Sequence, residues 1–263
     1  MTMLAVVVTK SPIKNNLLHT KSLAEILKII PTNSSIQTYN FYSGDLEFSL
    51  CEYGNYVTGT TTRYVIYEFW QCMFRDPVRI YNILNDESFA FEDDLYVTLQ
   101  ENWAKFKNQY IRSAMFFMLN RYSKDGLIST GELNRKNYTK VALANLKTFR
   151  KPETFMLEHS KVSLNDHVEQ NTEPDYRIVN AGNFNFNLFE QGKSYGLEET
   201  MIYHDKLLEM MKTKKEKTIL IYKSPKRIMK HNSVNSLNVR LINKYGNITQ
   251  ELDSSVEVII ANF

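Results

Sequence analysis

The apolar, β-rich runs of this chain fall at its two ends, and that placement limits what it can fold into. Residues 36–50 carry aromatic and β-favouring side chains around Ser43-Gly44-Asp45, which reads as strand, tight turn, then helix or strand. Residues 63–69 (RYVIYEF) read as a further strand ending near an acid, Glu68. Comparable runs return only at 176–181 (YRIVNA), 218–222 (TILIY), 239–245 and 256–262, the last two separated by a Gly246-Asn247 turn. Neither end alone has enough strands to bury a sheet on both faces, so the two ends are expected to share one sheet.

Between them the period changes. Leu95, Leu99, Trp103 and Phe106, then Ile111, Ala114, Met115, Met118 and Leu119, recur three or four residues apart, as on the buried face of a helix. A shorter helix is expected over 22–30, with Ser22 and Glu25 as a capping box and Pro31 as the stop. Another is expected over about 197–211, before the sheet resumes. Residues 123–174 are polar and weakly periodic. The expected organisation is an α/β core of residues 1–83 and 176–263 interrupted by a mainly helical subdomain, 84–175.

Composition excludes several classes. With 263 residues, 43% of them hydrophobic, the chain can bury a proper core. A net charge of +3 is too small to announce a nucleic-acid partner by itself. Cys51 and Cys72 have no CxxC spacing and no paired histidines, which points to buried thiols and not to zinc or a disulfide scaffold. His19, His159, His167, His204 and His231 are dispersed and read as surface histidines, so no metal is expected. The run 212–217 (KTKKEK) reads as the solvated end of a helix. No stretch approaches the roughly 20 apolar residues of a membrane span, and residues 4–8 are too short for a signal-peptide core. A cytoplasmic, non-secreted protein without a membrane partner is expected.

The order of segments resembles the Dam-like DNA adenine methyltransferases, phage or viral type, over nearly the whole chain. Ser11-Pro12-Ile13-Lys14 stands where that family has Ser-Pro-Leu-Arg before a glycine pair, and the glycines are missing here. Asn40-Phe41-Tyr42-Ser43-Gly44-Asp45-Leu46 matches the cofactor loop Glu-Pro-Phe-x-Gly-x-Gly with one glycine kept. Residues 116–121 (FFMLNR), Gly126-Leu127 and residues 131–134 (GELN) resemble the family's Phe-x-x-Leu-Asn-Arg, Asn-Gly-Leu and Gly-x-Phe-Asn series, with Asp125 in place of the Asn and Ser129 where an Arg is usual. The resemblance implies a Rossmann-like S-adenosylmethionine-dependent methyltransferase fold. It implies cofactor contacts from Tyr42, Gly44, Asp45 and Glu68, the last accepting from a ribose. It also implies a target-recognition-like insert in which Lys124, Arg135 and Lys136 would meet duplex DNA.

The family's Asp-Pro-Pro-Tyr motif is expected directly after the strand at 176–179, where Asn180-Ala181-Gly182-Asn183 and Phe184 stand instead. In the family, the first side chain and a neighbouring carbonyl accept from the adenine amino group while the aromatic stacks on the flipped base. Asn180 can accept one such bond, and Phe184 can stack only from a shifted loop. Ala181 and Gly182 cannot supply the rigid turn of a proline pair. Three functions follow as expectations: a DNA-binding or complex-forming pseudo-methyltransferase with weak or no S-adenosylmethionine binding, an active adenine methyltransferase working through Asn180 and Phe184, and a viral structural or interaction protein that uses the fold as a scaffold.

Overall fold

The computed structural model describes residues 11–14, 21–86, 95–124, 126, 128, 131–162, 166, 168, 174–183, 202–213, 215–223 and 225–263. Eight strands form one sheet: β1 (Ser35–Tyr39), β2 (Tyr56–Thr61), β3 (Phe155–His159), β4 (Tyr176–Asn183), β5 (Lys217–Lys223), β6 (Asn238–Asn243), β7 (Ile248–Thr249) and β8 (Ser255–Ala261). Their order across the sheet is β3-β2-β1-β4-β5-β8-β6-β7. The five strands from β3 to β5 are parallel. β8 runs antiparallel to both β5 and β6, slotted between them. Both ends of the chain therefore build one sheet, and the fold is α/β with a mostly parallel centre.

Side chains on successive strand residues point to opposite faces, and each face buries its own cluster. Ile36, Ile178, Ile219, Ile221 and Ile259 join the larger cluster on one face. Tyr39, Val179, Leu220, Tyr222, Val258 and Ile260 join the other. The first face is covered by α1 (Leu23–Ile29), α2 (Asp45–Glu52), α3 (Tyr64–Arg75) and the helices that follow. The second packs against α8 (His204–Thr213) and the short α9 (Pro225–Ile228). Aromatic rings fill the larger core. Phe41, Phe48, Trp70, Phe149 and Phe155 meet one another mostly edge to face at 5.1–6.2 Å, the geometry that ring quadrupoles favour.

Between β2 and β3 lie α4 (Pro77–Leu84), α5 (Leu95–Asn102), α6 (Gln109–Tyr122) and α7 (Lys140–Thr148). β3 itself falls inside the stretch 84–175 expected to be wholly inserted, and it pairs in parallel with β2 from Val57↔Phe155 to Thr61↔His159. Sheet and insert thus share that stretch.

Two further expectations change. Residues 63–69 are not a strand; Tyr64 begins α3, which buries Ile66, Phe69, Trp70 and Met73, a helical spacing. The capping box at α1 does not form either, because Ser22 makes no side-chain cap and Glu25 instead meets Lys28 and Arg240. The buried Glu257 of β8 takes the amides of Lys21 and Ser22 at 2.7 and 2.9 Å and the Ser22 hydroxyl at 2.7 Å. A carboxylate from the far end of the chain therefore satisfies the start of this helix. The helix expected from residue 197 lies outside the described residues as far as 201; α8 itself begins at His204.

Candidate functional site

In an open parallel sheet, ligands gather at the carboxyl ends of the strands where the order reverses. Here that place lies between β1 and β4, which run side by side from Ile36↔Tyr176 to Tyr39↔Val179. Asn40 and Asn180 follow that last pair. Asn40 holds a left-handed backbone, φ +63°, and its side-chain amide donates to the Asn180 carbonyl at 3.0 Å. β4 does not turn away after Asn180. Its pairing with β5 continues through a bulge to Gly182↔Tyr222 and Asn183↔Lys223. The first position of the expected adenine motif is thus held inside a strand, with its carbonyl engaged by Asn40. Phe184 lies outside the described residues.

The loop after β1 leads into α2 through Gly44, at φ +78°. A Cβ on Gly44 would sit 2.3 Å from the Phe48 ring, so the glycine is required by core packing as much as by its backbone angle. Asp45 accepts the Ser11 amide at 3.2 Å on one oxygen and the Ser43 hydroxyl at 2.7 Å on the other. Tyr42 is buried, and burial pushes its phenol well above the ordinary range. Its carbonyl takes the Trp70 indole N–H at 2.6 Å. Glu47, on the first turn of α2, is fully enclosed; desolvation, helped by the nearby Asp45 charge, pushes its carboxyl up to about 7.

Asn120 of α6 joins three of the resembling segments. Its carbonyl oxygen accepts the Lys14 amide at 2.6 Å, and its NH2 donates to the Lys14 carbonyl at 2.8 Å, the Tyr42 hydroxyl at 3.1 Å and the Gly126 carbonyl at 3.1 Å. The Arg121 guanidinium grips the Pro12 carbonyl through Nε at 2.7 Å. Gly126 is at φ +80°, and a Cβ there would fall 2.6 Å from the Lys14 carbonyl. Asn120 and Arg121 serve structure, and their contacts reach beyond the central segment to the amino-terminal residues Pro12 and Lys14. They dock the amino-terminal motif onto the loop after β1.

Glu68 stands elsewhere than expected. It lies within α3 and not at a strand end, and the Arg112 guanidinium of α6 takes both its carboxylate oxygens, with Nε at 2.7 Å. The carboxyl ends of β2 and its neighbour carry Thr60, Thr61 and Glu158 instead. Tyr42, Asp45 and Glu68 each make contacts within the protein, and Gly44 holds the left-handed turn between β1 and α2.

Lys124, Arg135 and Lys136 lie close in sequence to one paired stretch after α6. Residues 122–124 pair antiparallel with residues 132–134, with the Lys124 amide on the Glu132 carbonyl at 2.9 Å and a bridge between Ser123 and Leu133. Arg135 and Lys136 follow on a single 3-10 turn capped by the Asn134 side chain. All three are exposed, and Lys124 forms a loose surface pair with Glu132 at 3.5 Å.

The histidines divide. His204 is not at the surface: it is buried beside Tyr222, with Nδ1 3.0 Å from the phenol oxygen, and desolvation pulls its imidazole down to about 4. His231 meets Asp205 at 2.7 Å. Cys51 and Cys72 are buried free thiols, as expected. Among the described residues no group of three or more His, Cys, Asp or Glu is placed to hold a metal ion, and no helix is long and apolar enough to cross a membrane. Sequence reasoning missed the roles of Asn40 and Arg112: Asn40 opens the cofactor-loop match but bonds 140 residues away, and Arg112 lies in no motif and meets Glu68 44 residues back. No protein-family model matches the chain, and no curated protein matches it.

Proposed function

We propose that this chain is a Dam-like adenine methyltransferase relative that binds duplex DNA and does not transfer a methyl group. The observation that carries the reading is Asn180: β4 pairing runs on past it to Asn183, and Asn40 takes its carbonyl. A base-pocket turn needs the chain to leave the sheet there so that side chain and carbonyl both face a flipped base. The strand order gives further support, since a mostly parallel centre with β8 reversed between β5 and β6 is compatible with a Rossmann-like sheet. So does the docking of the Ser11–Lys14 segment against the loop after β1, because the resemblance sets both around one ligand site.

What such a protein would retain is the insert. Lys124, Arg135 and Lys136, beside one paired stretch, can make phosphate contacts, which position a duplex without reading its sequence. The test pairs two assays on the purified protein. Radiolabelled S-adenosylmethionine with adenine-containing duplex is expected to give no methyl transfer, and the same duplex is expected to bind at low salt. Methyl transfer that disappears in Asn180→Ala would overturn the noncatalytic reading. Absence of any duplex affinity would leave the fold as a scaffold for protein contacts.

A further inference from the structure

β3 is the last strand on its side of the sheet, so one of its two backbone edges faces away from β2. Which residues use that edge follows from two bonds. The Val57 amide donates to the Thr154 carbonyl and the Ser160 amide to the Thr61 carbonyl, so even-numbered residues turn their backbone groups toward β2. Phe155, Leu157 and His159 therefore turn theirs outward. At Phe155 both groups are used: the amide donates to the Pro152 carbonyl at 3.2 Å, and the carbonyl accepts the Lys151 ammonium at 2.7 Å. For the outward groups of Leu157 and His159 no hydrogen-bond partner stands among the described residues. Beside them Met156 is 63% exposed.

We propose that β3 pairs antiparallel with β3 of a second copy of this chain, about a two-fold axis through Leu157, joining two sheets into one. An open edge with unpaired backbone groups is a template for another strand, and a two-fold axis lets one patch serve both copies. Overlap and charge set the position of the axis. Only about Leu157 do all five residues of each strand, Phe155–His159, find a partner in the other. Leu157 then faces Leu157 of the second copy, and the two exchange both backbone bonds. Met156 faces the second copy's Glu158, and the two Met156 side chains lie diagonal to each other. An axis through Glu158 would instead set two carboxylates face to face. The axis through Leu157 also brings the exposed Lys161, just past one strand, alongside the exposed Glu153, just before the other. Lys151 opposes the pairing, because the amide of the second copy's His159 must displace its ammonium from the Phe155 carbonyl. Five strand residues a side make a small interface, so association depends on concentration. Nothing in this pairing rests on the DNA-binding reading.

Sedimentation equilibrium of the full chain, over a range of concentrations, compares wild type, Met156→Glu, Met156→Glu with Glu158→Lys, and Lys151→Met. Circular dichroism checks that each is folded. Wild type is expected to move from 30.8 kDa toward twice that mass as concentration rises. Met156→Glu sets a carboxylate opposite Glu158 at two places and is expected to raise the dissociation constant at least about tenfold. Adding Glu158→Lys makes both contacts attractive and is expected to restore the dimer. Lys151→Met frees the Phe155 carbonyl and is expected to tighten it. A wild type that stays at 30.8 kDa at every concentration overturns the proposal. So does a dimer that Met156→Glu leaves intact, that the added Glu158→Lys fails to restore, or that Lys151→Met weakens.

Discussion

The side-chain amide of Asn40 crosses the point where the strand order reverses and donates to the backbone carbonyl of Asn180, 3.0 Å away and 140 residues on. Asn40 makes this bond from a left-handed backbone, which asparagine tolerates better than other side chains. The two features separate by mutation. Asn40→Gly loses the hydrogen bond and keeps an easy φ, so a loss of about 1 kcal/mol in urea unfolding is expected. Asn40→Ala loses the bond and adds strain, so about 2–3 kcal/mol is expected. Equal losses would show that the backbone angle carries no cost here.

Asn120 predicts a larger effect. It is completely buried and both sides of its amide are used, with Lys14, Tyr42 and Gly126 all depending on it. Asn120→Ala removes four hydrogen bonds at a fully buried point, and a loss of about 2–4 kcal/mol is expected. Asn120→Asp is expected to be at least as harmful, since it keeps the acceptor for the Lys14 amide but turns a donor toward two carbonyls into a carboxylate. Because Lys14 is held by that amide, limited trypsin treatment should cut after Lys14 faster in both variants. Unchanged cleavage would mean that the other anchors, including Arg121, Asp45 and the Lys124 carbonyl that takes the Lys14 ammonium, suffice to dock the segment.

These relationships show what the sequence could and could not convey. β1 and the glycine turn were legible because the pattern is local, a β-favouring run and then Gly44, whereas the segment after it stayed open between helix and strand and is α2. β5 and β8 were legible as apolar runs bounded by polar residues. α3 was not, because Tyr64, Val65 and Ile66 favour strands individually while the helical pattern of Ile66, Phe69, Trp70 and Met73 shows only when the window extends past residue 69. The place expected for Glu68, at a strand end, depends on the same local ambiguity. β3 is hard to read because an edge strand with one fully buried residue, Phe155, carries little apolar signal. The resembling motifs could be read as separate strings, but that Asn120 ties two of them together depends on hydrogen bonds spanning 106 and 78 residues.

Two buried groups give opposite pH slopes. Glu47 is raised from 4.5 to about 7 in the folded protein. Its contribution to stability is fully present below pH 4.5 and is lost as pH rises through 7. His204 is lowered from 6.5 to about 4, so its contribution is present above pH 6.5 and is lost as pH falls toward 4. Thermal unfolding should therefore show Glu47→Gln gaining on wild type between pH 5 and 8, and His204→Gln gaining on wild type between pH 7 and 4.5. Parallel pH profiles for all three proteins would contradict both assignments.

The last prediction concerns the duplex. If Lys124, Arg135 and Lys136 contact phosphates, each releases condensed counterions, and the logarithm of affinity should fall linearly with the logarithm of salt concentration. Arg135 and Lys136 share one short turn, so their replacement alters a single exposed element, and the Asn134 cap that shapes it is untouched. Arg135→Glu with Lys136→Glu should lower affinity for unrelated duplexes by the same factor and make the salt dependence shallower by about 2 in slope, one for each phosphate no longer neutralised. A base-reading role would instead weaken one sequence more than another and leave the slope nearly unchanged. Lys124 supplies the internal comparison. Its partial pairing with Glu132 at 3.5 Å is weak and solvent-screened, so Glu132→Gln should strengthen binding slightly at low salt and have no effect at high salt. If the double substitution leaves both affinity and slope unchanged, this paired stretch is not where the protein meets DNA.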